Sequence, residues 1–197
     1  MLKNKKIIIG ICGSFCNHQP VLNEIKKLVL NNEVKIIVSD NVNKMSTRFF
    51  DRDDFMEQLE SITKNKIIST LFEAEKIGPD NYYDIMAIVP MSATICAKLV
   101  NGIYDSPVSL GAKAMIRNNK NIVIGLASND GLGMVAPNFF RLINIKHIYT
   151  LPFSQDAPFL KPYSIISKWT SLEATLASAL NNIQIQPILA INNEGEK

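Results

Sequence analysis

The chain has 197 residues, 47% of them hydrophobic and 20% charged, which suits one globular domain and argues against disorder over most of its length. A net charge of +3 is too mild to mark nucleic acid or an anionic membrane as the partner. The longest apolar runs, such as 122–126, fall far short of the roughly 18 residues a membrane-crossing helix needs, and an odd count of three cysteines makes no disulfide framework.

The opening Met-Leu-Lys-Asn-Lys-Lys leads into only a short apolar stretch with no convincing secretory cleavage site, so a cytoplasmic protein is expected. Residues 6–12 form a nearly continuous β-branched run, as in a strand buried on both faces. The run stops at Gly13-Ser14-Phe15, and a helix follows with Pro20 near its first turn and Val21, Ile25, Leu28 and Val29 on one face. Residues 33–38 read as the second strand and 39–50 as a polar, irregular segment. Asp53, Phe55, Leu59 and Ile62 mark a second helix with acidic residues in its first turn. Residues 66–69 suggest a short strand, and 84–89 a stronger one that Pro90 is expected to end. Residues 92–101 suit a helix closed by Gly102, and Ser106 with Pro107 opens the next. Another buried strand covers 121–127, then come a loop to 136, a short helix over 137–145 and a last strand over 147–151. A Pro-rich loop spans 152–163. Ile165, Trp169, Leu172, Leu176 and Leu180 follow at helical spacing, and the polar tail 192–197 is expected to fray beyond a domain of residues 1–191.

Strands alternating with helices imply a single α/β domain with a doubly wound parallel sheet, a Rossmann-like arrangement in which ligands bind beyond the carboxyl ends of the strands. Three polar strand-to-helix turns therefore carry the chemistry. Gly13 would permit a tight turn, and Ser14 with neighbouring N–H groups would hold a phosphate at a helix N-terminus; a ligand-free βα turn reads the same way. Pro90-Met91-Ser92-Ala93-Thr94 offers two hydroxyls where N-capping needs one. Ser128-Asn129-Asp130-Gly131 has the amides and glycine to wrap a ring edge, or to form an ordinary surface loop. Cys12, Cys16 and His18 lack the further ligands of a metal site, so none is expected. Cys12 fits a core strand, and Cys16 with His18 is a possible reactive pair that nothing else supports.

The stretch Pro90-Met91-Ser92-Ala93-Thr94-Ile95-Cys96-Ala97-Lys98, with Gly102 and Asp105 behind it, resembles the second cofactor loop of the FMN-binding flavoproteins that include cysteine decarboxylases and flavin prenyltransferases. Asp105-Ser106-Pro107 and Ala112-Lys113-Ala114 extend the likeness. Outside the shared loops, Ser46-Thr47-Arg48-Phe49, residues 73–79, 127–133 and 152–158 resemble one redox branch of that family. The resemblance implies FMN held by Gly13, Ser14, Phe15, Ser39, Pro90, Ser92 and Thr94, with Ser128 and Asn129 near the flavin ring or its ribityl chain. It also implies an oxidoreductase that turns dihydrodipicolinate into dipicolinate in the mother cell of a sporulating bacterium. A separate partner subunit, carrying NADP, would act with it, and the chain itself would form a homo-oligomer. Arg48, Lys113 and Arg141 are candidates for the two substrate carboxylates, because the arginine fork matches a carboxylate. No side chain stands out as catalytic proton acceptor. The chain departs from the decarboxylases in three places: an Asn is missing between Ala93 and Thr94, residues 136–142 replace their Pro-Met-Asn segment, and no histidine lies between His18 and His147. Two other readings remain: a stand-alone FMN-dependent decarboxylase or prenyltransferase, and a non-catalytic specificity subunit with a relic flavin pocket.

Overall fold

A computed structural model describes residues 2–190; the expected frayed tail lies outside them. Five parallel strands form the sheet's body: β1 Lys6–Ile11, β2 Glu33–Val38, β3 Ile85–Met91, β4 Asn121–Ser128 and β5 Ile148–Thr150. Their order is β2-β1-β3-β4-β5, and the switch point, where the order reverses, lies between β1 and β3. Two short strands, β6 Phe153–Ser154 and β7 Ile165–Ser167, add antiparallel pairs beside the upper part of β4.

Side chains on β1 alternate between two cores. Ile7, Ile9 and Ile11 pack beneath α1 His18–Leu28, α3 Arg52–Thr63 and α9 Leu172–Leu180. Ile8 and Cys12 point to the other face, covered by α4 Leu71–Glu75, α5 Ile77–Asp80, α6 Ala93–Val100, α7 Pro107–Arg117 and α8 Ala136–Leu142. Gly125 lets the first of these cores close tightly, since a Cβ there would lie 2.8 Å from the Trp169 ring. The doubly wound single domain expected from the sequence is therefore the observed fold. Among the described residues no helix is long and apolar enough to cross a membrane.

Several local expectations change. The strand at 85–91 runs through Pro90 instead of ending there, because the ladder to β4 shifts register between Ile88 and Met91 and needs no N–H at that point. The irregular segment after β2 contains a short helix, α2 Asp40–Lys44. Residues 66–69 contribute one bridge, Ile37 to Ile68, instead of a strand. Ile165 is in β7, not in the last helix, which begins at Leu172 after a 3-10 turn over Trp169–Ser171.

Candidate functional site

The carboxyl ends of the strands are stitched together. Cys12 N–H donates to the Pro90 carbonyl at 3.2 Å, Ser39 N–H to the Ile11 carbonyl at 3.0 Å, and the Ser14 hydroxyl to the Ala127 carbonyl at 2.8 Å. The turns at 12–15, 39, 90–94 and 127–129 thus meet at one edge of the sheet. Ser14 binds the first tip to the fourth, so its proton is already committed within the protein.

Other donors at this edge remain unspent. The N–H groups of Gly13, Phe15, Cys16, Ala93 and Thr94 have no partner among the described residues. Ser92 caps α6 in the ordinary way, its hydroxyl accepting from Ile95 N–H at 3.4 Å, while the exposed Thr94 hydroxyl stays free. The Ser39 hydroxyl is buried with no hydrogen-bond partner. A buried hydroxyl without a partner costs on the order of 1–3 kcal/mol, so a fold that keeps one needs a reason. Gly13 does not adopt a left-handed conformation, and a Cβ built on it meets nothing nearer than 3.6 Å, at Asn41 and Phe15. The fold itself therefore does not demand glycine there. Clustered N–H groups, one orphan hydroxyl and an open glycine fit the phosphate end of FMN. Ser128 accepts from Asp130 N–H at 3.1 Å and shapes the fourth turn, leaving the Asn129 amide exposed.

Beside the first tip, His18 lies among aromatic rings. Its ring stacks on Phe50 at 5.0 Å and Phe55 at 4.8 Å, with Phe15 tilted against it at 5.4 Å. Nε2 lies 2.7 Å from the Cys12 carbonyl, which only accepts, so Nε2 carries the proton and Nδ1 is a bare, buried acceptor without a partner. Burial pushes the His18 pKa down to about 4, against the opposing pull of the Cys12 bond. Burial likewise raises the Cys12 thiol to about 12, partly offset by the Ser92 N–H, and raises Cys96 to about 12. Cys16 is the one exposed cysteine, and its sulfur accepts from the Asn17 amide at 3.3 Å instead of meeting the His18 ring. The reactive pair suggested by spacing is not formed. Among the described residues no group of three or more His, Cys, Asp or Glu is placed to hold a metal.

Next to these rings is a cavity of about 460 Å³, walled by Phe15, Cys16, His18 and Gln19 on one side and by Phe49, Phe50, Asp54, Phe55 and Gln58 on the other. Arg48 extends over the Phe49 ring at 4.9 Å and has no ion pair among the described residues. Lys113 lies elsewhere, over the Tyr104 ring at 5.1 Å in a small hollow with Glu75, Gly78 and Arg117. Arg141 is exposed on α8. The three cations are not gathered in one place.

A family model for the flavoproteins matches residues 1–185. The chain belongs to the flavoprotein family. It is 40% identical over 195 residues to the B subunit of dipicolinate synthase from Bacillus subtilis (strain 168), covering 98% of each chain. The crystal structure of the corresponding dipicolinate synthase protein from Bacillus halodurans C superposes with a TM-score of 0.88 at 36% identity, over 96% of this chain and 98% of that one. DmrB of Burkholderia xenovorans, crystallised with FMN, shares the fold at a TM-score of 0.69 and 11% identity, over 92% of this chain and 98% of that one. Within this flavoprotein, the sequence singled out the tip residues but not the aromatic cavity. Its rings are spread from Phe15 to Phe55 and belong to no contiguous motif, so only the fold brings them together.

Proposed function

We propose that this flavoprotein is the FMN-binding subunit of a two-subunit oxidoreductase that converts dihydrodipicolinate into dipicolinate, with the separate A subunit of dipicolinate synthase supplying NADP. The 40% identity to the synthase's B subunit over nearly the whole chain carries the reading. The chemistry of the tips supports it. The N–H groups of Gly13, Phe15, Cys16, Ala93 and Thr94 and the Ser39 hydroxyl would hold the phosphate, and Asn129 would meet the ring or ribityl chain. When bound, FMN supplies an acceptor for the two electrons released as a dihydropyridine becomes aromatic. The protein's own residues bind and orient. Ser14 fixes the first tip against the fourth through Ala127, the cap at Ser92 aims the first turn of α6, and the aromatic rings around His18 hold that residue in place.

A second reading is a specificity subunit that completes its partner's active site without redox chemistry of its own. The tips favour it in one respect. Ser14 is spent on Ala127, and His18 is held neutral beneath aromatic rings, so neither is placed as an acid or base. Titrating the purified protein with FMN and assaying dihydrodipicolinate oxidation with the two subunits separately and together discriminates between the readings. The main proposal expects stoichiometric FMN binding and oxidation only when both subunits are present. Full activity from the NADP-carrying partner on its own, or decarboxylation of a cysteine-terminated peptide by this chain alone, would overturn it. Activation of that partner by a chain that binds no FMN would select the second reading.

A further inference from the structure

We propose that the aromatic cavity between the start of α1 and the start of α3 is the subsite that takes the planar ring dicarboxylate, with Arg48 as its carboxylate partner and the phenylalanine faces as its ring platform. The inference rests on the reading above and locates the substrate within it.

Three observations converge on the cavity. Its volume of about 460 Å³ falls within the roughly 300–1,000 Å³ typical of small-molecule sites. Two of its rings, Phe50 and Phe55, stack directly on each other, with centroids 4.4 Å apart and planes 24° from each other, so they offer no slot between them but give the cavity an apolar aromatic wall. Arg48 does not line the cavity itself, but its exposed guanidinium lies over the ring of Phe49, which does, and no carboxylate neutralises it among the described residues. A cation kept in place by a ring and left without a counter-ion is set up for an incoming carboxylate. The Gln19 and Gln58 amides can donate to the second carboxylate. Asp54 opposes an anion, since it lines the same cavity and is exposed. Its presence makes the charge of the guest testable in both directions.

Cys16 supplies the readout, because it lines the cavity and is exposed while Cys12 and Cys96 are buried. With FMN at saturation, dipicolinate is expected to slow alkylation of Cys16 by iodoacetamide, followed by mass spectrometry. Arg48→Gln should raise the concentration needed for protection about tenfold or more, as expected when a charge-assisted pair is lost. Asp54→Asn should lower it several-fold. Three results would overturn the inference: FMN alone protecting Cys16 with no further effect of dipicolinate, calorimetric binding of dipicolinate without protection, or equal protection in wild type and both variants. If dipicolinate neither binds nor protects while the reconstituted pair turns over dihydrodipicolinate, the cavity assignment falls and the proposed function stands. If the pair is silent as well, both fall.

Discussion

The Ser39 hydroxyl is buried and unpartnered, and that state has a measurable sign. Ser39→Ala removes a group that gains nothing within the protein, so stability in urea should hold or rise by up to about 1 kcal/mol. FMN affinity, followed by quenching of flavin fluorescence, should fall several-fold in the same variant. If stability and affinity fall together, the hydroxyl has a structural task. His18 gives a second residue-level prediction. Its pKa lies near 4 in the folded protein against about 6.5 when unfolded. At pH 7 neither state binds the proton, and the native packing keeps its full stability. As pH falls below about 6.5, the unfolded chain takes up a proton that the folded chain refuses. Stability therefore drops until about pH 4, by on the order of 3 kcal/mol in total. Denaturation at pH 7 and pH 5 should show this loss, and His18→Phe should remove that part of it. A wild-type curve that is flat between these pH values would refute the assignment.

Two glycines, one after β1 and one after β4, make opposite predictions at the scale of elements. A Cβ on Gly13 has room, so Gly13→Ala should leave the melting temperature within a degree or two while weakening FMN binding by crowding the phosphate. On Gly131 a Cβ would lie 2.5 Å from Ile165 Cβ and 3.0 Å from its backbone nitrogen. Gly131→Ala must push the fourth tip away from β7, at a cost of about 1–3 kcal/mol visible by calorimetry. The same elements show what was legible in advance. Strands β1 to β5 announce themselves through β-branched runs, and α6 and α7 through Ser92, Gly102, Ser106 and Pro107, all local signals. The Thr70–Glu73 capping box was also present, but α4 and α5 behind it are too short to display a periodicity. Ile165 misled because its spacing to Trp169 and Leu172 happens to match a helical turn, while its true partner is Ser128 of β4. Pairings between distant segments leave no mark in a local window.

At the scale of the whole molecule, alternation of strand and helix was enough to set the architecture, and the loop resemblance was enough to set the family. The cavity was beyond reach, because Phe15 and Phe50 become neighbours only when β1 and β2 pair. If FMN binds the native chain alone, at a hundred times its dissociation constant it should add about 2.7 kcal/mol, a rise of roughly 5–10 °C in melting temperature. No shift at that excess would count against cofactor binding. Met134, Phe159 and Leu160 stand 85%, 92% and 86% exposed, three large apolar side chains that an assembly of identical chains would cover. We expect light scattering to find an assembly of identical chains, and substitution of Phe159 and Leu160 by serine to weaken it; a monomeric wild type would remove the expectation.

The outer flank of β4 is divided between two neighbours, β5 below and β7 above, and the upper one arrives late. Ala127 finds its partner in Ile166, and Leu132 donates to the Tyr163 carbonyl, both across more than thirty residues. Strands β1 to β4 can pair before residues 163–167 join them, yet the corner that Ser14 grips through Ala127 stays unbraced until they do. The fourth strand tip is thus braced only when a distant stretch of the chain has folded back onto it.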